Sequence, residues 1–118
     1  MSSTTTELSL DEIFNLAKTA LLNHGANEEN ADAVASTVTN AERDGSVSHG
    51  LFRIPGYIKA LQSNKVDGSA RPEIEEVTPT IFRCDAQNGF APLAHKHCLK
   101  FLIDAANTFG IAGLAIQR

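Results

Sequence analysis

Ser48, His49 and Arg53 lie within one short stretch, Asp44-Gly45-Ser46-Val47-Ser48-His49-Gly50-Leu51-Phe52-Arg53. An imidazole gains or loses a proton close to neutral pH, its ordinary pKa being about 6.5. A guanidinium presents a fork of donors that matches a carboxylate. The hydroxyl directly before the imidazole adds a donor and an acceptor, and Gly50 lets a ligand come close to the backbone. With a helix starting at Leu51, His49 stands at its start and Arg53 one turn on, so a proton carrier and an anion clamp share one helix end. The plainer account of the same residues is a helix start, with Ser48 as N-cap, Gly45 as the preceding C-cap and His49 on the surface.

The elements that must hold this stretch are legible on both sides. Residues 1–8 form a polar lead that is expected to be flexible, and residues 9–118 form the domain. Ser9-Leu10-Asp11-Glu12 matches a capping box, and Ile13, Leu16, Ala17, Ala20 and Leu21 follow at helical spacing up to Gly25. Asn27 caps a second helix with Glu28 and Glu29 in its first turn and a face of Ala31, Val34, Ala35, Val38 and Ala41. These two helices are expected to form a hairpin, the second stopping near Asp44-Gly45. The third helix buries Leu51, Ile54, Ile58 and Leu61, and Pro55 demands either a start after Gly50 or a bend near Arg53.

Glu73 to Val77 and Thr80 to Asp85 read as two short strands, and Asn88-Gly89 as a turn. A long helix follows with Pro92 in its first turn, a face of Ala94, Cys98, Phe101, Leu102, Ala105 and Phe109, and Gly110 as its cap. Ile111 to Ile116 is short and continuously apolar, the pattern of a strand covered on both faces. The fold class expected is α/β, α+β within this stretch, with a helical hairpin, a third helix, short strands, a long helix and a closing buried strand. Three strands are few for one covered on both sides, so the chain is read as a fragment whose core is completed elsewhere or by a second copy.

Bulk composition narrows the chemistry. The chain has 118 residues, one domain's worth, and a formal net charge of −4, which argues against nucleic acid or an anionic membrane surface as partner. Two cysteines without redox or metal spacing, no signal-like start and no apolar run of membrane-spanning length make a cytoplasmic protein the expectation. No Gly-rich phosphate cradle and no Gly-x-Ser-x-Gly elbow is present. His95, His97 and Cys98 resemble metal ligands, but His95 and His97 point about 160° apart on a helix, and no metal is expected. His24, at a helix C-terminus, suits the helix dipole.

The run Arg43-Asp44-Gly45-Ser46-Val47-Ser48-His49-Gly50-Leu51-Phe52-Arg53-Ile54-Pro55-Gly56-Tyr57 resembles the type-2 malate/L-lactate dehydrogenase family. Its Ser-His-Gly core, downstream Arg and Pro-Gly-Tyr are present, although Gly45 here follows Asp44 directly. The resemblance extends from about Leu8 to Ile116. It implies a non-Rossmann fold, usually dimeric, and an oxidoreductase moving hydride between NAD or NADP and a 2-hydroxy/2-oxo acid or a cyclic imino acid. It makes His49 the catalytic acid/base, Ser48 its catalytic neighbour and Arg53 the contact for a small substrate's carboxylate. Acid/base help of this kind contributes about 10²–10⁴-fold in rate. By the same resemblance the cofactor contacts fall beyond Arg118, so the chain alone is expected to be inactive. The other reading is a non-catalytic α/β interaction or dimerisation module that keeps the fold.

Overall fold

The computed structural model describes residues 5–118; part of the expected polar lead, residues 1–4, lies outside them. From Thr5 to Ser9 the chain is exposed and without regular structure. Helix α1 (Leu10–Asn23) opens with the capping box: the Ser9 hydroxyl accepts from the Glu12 amide, and the Glu12 carboxylate accepts from the Ser9 amide. Helix α2 (Glu28–Arg43) is capped by the Asn27 side chain. The sharp turn between them places Gly25 at φ +108°, a conformation few side chains tolerate.

After α2 the chain makes two 3-10 turns, Val47–His49 and Leu51–Arg53, before α3 (Ile54–Gln62). The third helix therefore starts three residues later than expected. Pro55 sits in its first turn, where its missing N–H costs nothing, and no bend is required. Strands β1 (Glu73–Thr78) and β2 (Ile81–Asp85) pair antiparallel. Helix α4 (Ala91–Phe109) then carries the chain over to β3 (Gly113–Gln117), which runs parallel to β2 with Ile81 beside Gly113 and Asp85 beside Gln117. A parallel pair needs such a crossover.

The buried side chains form two clusters. In the first, Ala17 and Leu21 of α1, Val34 and Val38 of α2, and Ile54 and Leu61 of α3 meet Phe90. In the second, Cys84 of β2 and Ala86 just after it meet Ala94 and Cys98 of α4. The radius of gyration is 16.2 Å. A single ball of this length would have about 13 Å, so the molecule is drawn out, with extents of 57 × 30 × 22 Å. Helix α2 touches α1, α4 and both 3-10 turns, and so joins the halves.

The closing strand departs from expectation. Sheet order is β1-β2-β3, so β3 is an edge strand, and it is not covered on both faces: Ile116 is exposed, and Ile111 just before it is 75% exposed. Leu16, Phe101 and Phe109 share helical faces with core residues yet are themselves exposed. No helix among the described residues is long and apolar enough to cross a membrane.

Asn30 is 1% exposed, and its Nδ2 faces Asn27 Oδ1 and the carbonyls of Gly68 and Ala70 at 3.0–3.2 Å, pinning the segment before β1 to the start of α2. Three oxygens around that atom dictate which end of the amide points there. Asn30→Ala strands those carbonyls and is expected to cost about 2–3 kcal/mol in urea unfolding. Burial, with the neighbouring Cys98 thiol, pushes the Cys84 thiol up to about 12. At pH 8 roughly one Cys84 in 10⁴ is then the reactive thiolate, so an aromatic disulfide reagent should leave it unlabelled until urea is added. Because the folded state raises this pKa, the associated stability is full below the thiol's ordinary pKa and is lost as pH climbs towards 12.

Candidate active site

Helix α2 ends at Arg43, and Gly45 at φ +79° turns the chain back towards the helix it has just left. The Ser46 amide donates to the Ala41 carbonyl at 2.8 Å, which starts the turn. The His49 amide donates to the Ser46 carbonyl and the Arg53 amide to the Gly50 carbonyl, each at 2.9 Å, closing the two short turns. Arg43 and Asp44 pair with each other, and that guanidinium holds the Asp44 carboxyl below the ordinary carboxylate range.

Ser48, His49 and Arg53 come together here by hydrogen bonds rather than on one helix. Ser48 Oγ lies 2.9 Å from His49 Nδ1. With the ring proton on Nε2 the hydroxyl donates to Nδ1, and with it on Nδ1 the ring donates to the hydroxyl. Arg53 Nε–H donates to the Ser48 carbonyl at 2.9 Å. That bond fixes the guanidinium plane, and among the described residues the two terminal nitrogens of Arg53 have no hydrogen bond or ion pair. All three residues are exposed.

Beside them lies an open hollow of about 440 Å³ lined by Glu42, Val47, Ser48 and Phe52. Val47 is 64% and Phe52 77% exposed, so apolar surface stands next to the polar triplet. A second hollow of about 290 Å³ lies between His24 and Gly68. Its imidazole is already committed, Nδ1 donating to the Ala20 carbonyl at 2.6 Å, and the triplet lies elsewhere.

Residue-type reasoning alone leaves out Glu42. Its Oε1 accepts from the Leu51 amide at 2.9 Å, and its carboxylate fills the space a Gly50 side chain would take. The other candidates stay apart: His97 faces Glu29 of α2 at 3.4 Å, His95 is exposed and Cys98 is buried. Among the described residues no three His, Cys, Asp or Glu side chains gather as metal ligands would.

Residues 8–118 match the family model described as malate/L-lactate dehydrogenase. The chain belongs to the malate/L-lactate dehydrogenase family. A Δ1-pyrroline-2-carboxylate reductase of Ancylobacter novellus is 44% identical over 110 residues, covering 93% of this chain and 32% of the relative. The crystal structure of Δ1-piperideine-2-carboxylate reductase from Pseudomonas syringae superposes with a TM-score of 0.92 at 43% identity, over 96% of this chain and 34% of that one. Malate dehydrogenase of Entamoeba histolytica superposes at 0.86 and 29% identity, over 96% and 32%. The chain thus spans about a third of the length of the relatives it matches. Within this family fold, residues 43–57 run from the end of α2 through the two 3-10 turns into α3.

A methyl at Gly50 would lie 2.1 Å from Glu42 Oε1. Gly50→Ala must therefore push the carboxylate off the Leu51 amide, and is expected to cost about 1–3 kcal/mol in urea unfolding, with the largest NMR shifts at residues 47–53.

Proposed function

We infer that this chain supplies the proton-handling and carboxylate-holding part of an oxidoreductase that reduces a cyclic imino acid carrying a 2-carboxylate, using NADH or NADPH. The observation that carries the reading is the Ser48–His49 pair at 2.9 Å, with Arg53 tied to the same serine and its terminal nitrogens unengaged among the described residues. Two relatives with more than 40% identity are reductases of five- and six-membered ring imine carboxylates, which favours that substrate class over open-chain oxo acids. The apolar rim of Val47 and Phe52 suits a hydrocarbon ring better than a second carboxylate.

On this reading Arg53 receives the carboxylate in a two-point contact and fixes the reactive carbon beside Ser48. Reduction of the C=N bond places an electron pair on nitrogen, and protonated His49 donates the proton that completes the cyclic amine. Ser48 holds the imidazole through Nδ1 and leaves Nε2 to carry that proton. A bound nicotinamide would supply hydride, but the described helix starts do not fit a dinucleotide's phosphates. Asp11, Glu12, Glu28 and Glu29 make the first turns of α1 and α2 negative, and Pro55 and Pro92 remove amides from those of α3 and α4. We therefore assign the cofactor to parts of such an enzyme outside this third, and the chain alone to be inactive.

The second reading, a module that associates through its sheet, is favoured by the unpaired edge of β3 and exposed Ile111 and Ile116. One titration separates the two. Adding Δ1-pyrroline-2-carboxylate to the isotope-labelled chain should shift the His49 ring and Arg53 side-chain signals saturably, with Arg53→Ala weakening binding about tenfold or more. No shift at millimolar ligand, with sedimentation showing a dimer, would favour the second reading instead.

A further inference from the structure

Glu42 is an acid at the wrong end of its helix. It is the next-to-last residue of α2, where the negative end of the helix dipole disfavours a carboxylate. Its side chain does not reach for a neighbouring cation such as Arg43, which pairs with Asp44. Instead Oε1 receives the amide of Leu51, nine residues on, at 2.9 Å. That amide opens the second 3-10 turn, and Leu51 packs against the helical core with its side chain half buried. Among the described residues the Leu51 N–H has no other acceptor. The carboxylate also fills the place where any side chain at residue 50 would sit, so Gly50 is the price of its reach. It lines the same hollow as Ser48.

We propose that Glu42 is a positioning residue: by clasping the Leu51 amide it ties the Ser48–Gly50 turn to the rigid end of α2 and so sets the hydroxyl–imidazole geometry of Ser48 and His49. The inference rests on the reductase reading for its purpose, but its geometry stands apart from it. The turn is joined to α2 at its near end by the Ser46 amide on the Ala41 carbonyl. Glu42 supplies the far anchor, and His49 lies between the two. A loop held at both ends keeps a catalytic pair within a fraction of an ångström, whereas one held at a single end does not.

The test is made on the whole 118-residue chain without substrate or cofactor. Amide hydrogen exchange reads the Leu51 bond, and the two ring-nitrogen shifts of His49 read its contact with Ser48. In the wild type the Leu51 amide should exchange at least about tenfold more slowly than an unbonded amide. Glu42→Ala should remove that protection and move the His49 nitrogen signals towards those of a free imidazole. Glu42→Gln, which keeps an acceptor oxygen at the same reach, should restore both. An unprotected Leu51 amide in the wild type overturns the proposal, as do unmoved His49 signals in Glu42→Ala. If Glu42→Ala does not fold, wild type and Glu42→Gln decide: matching protection and ring signals support the clasp, and their loss in Glu42→Gln refutes it. A chain that passes this test but binds no imino acid disproves the reductase reading and leaves the clasp standing.

Discussion

Close approach to helix α2 is the constraint on which the rest depends. Its buried apolar positions are Ala31, Ala33, Val34, Ala35 and Val38, side chains short enough for neighbours to reach the helix on several sides at once. Helix α1 packs against one side, α4 against another, and the 3-10 turns against its end. A leucine in place of one alanine would add volume to a packed contact and force the neighbour outward. The polar residues of α2 are divided along its length. Asn30 at its start fastens the segment that leads to the sheet, Asp32 meets Lys18 of α1 and Lys96 of α4, and Glu42 at its end takes the Leu51 amide. The exposed ion pairs add little to stability, each up to about 1 kcal/mol. The buried amide contacts and the alanine face do more.

Because one helix carries all three attachments, the drawn-out molecule still holds its site in a fixed relation to its sheet. Two small clusters would otherwise hinge where they meet. The segment from Val66 to Ala70 resists this: Asn27 donates its amide to the Gly68 carbonyl at 2.8 Å while Asn30 holds Gly68 and Ala70 from the side. Gly68 itself lies so close to the backbone of Gly25 and Ala26 that a side chain there would collide with it. The turn between α1 and α2 and the approach to β1 are therefore one packed unit.

Much of this was legible in the sequence, for reasons that differ by element. Caps announced α1, α2 and α4, since Ser9, Asn27, Pro92 and Gly110 each act within one turn of their own position. The start of α3 was misplaced because a 3-10 turn at Leu51–Arg53 preserves part of the helical spacing, so apolar period alone cannot separate the two. The apolar run of β3 has the pattern of a strand covered on both faces, and in this chain it lies at an edge: composition records that a surface is fit to be buried, not what buries it. At the site, residue types and spacing single out Ser48, His49 and Arg53, and hydrogen bonds rather than a shared helix join them. Glu42 was silent. An acid on a helix looks like a solvated face until the chain folds back nine residues later and offers it an amide.

The exposure of the triplet has a consequence for the proposed chemistry. A guanidinium and a carboxylate about 4 Å apart attract by about 1 kcal/mol in bulk water and about 4 kcal/mol where the effective dielectric constant is near 20. In this chain Arg53 and His49 face solvent, so they sit at the weak end of that range. An imidazole open to water also exchanges its proton with solvent as readily as with a substrate, and hydride chemistry favours a site from which water is excluded. A reductase built on this turn therefore needs a cover over the hollow. The groups that such a cover would touch are already apolar: Val47 and Phe52 stand exposed at its rim, where a lone surface would carry charge. Their hydrophobic surface adjoins Ser48 at the hollow, so on the proposed chemistry covering it would exclude water and strengthen an Arg53–carboxylate contact in a single step.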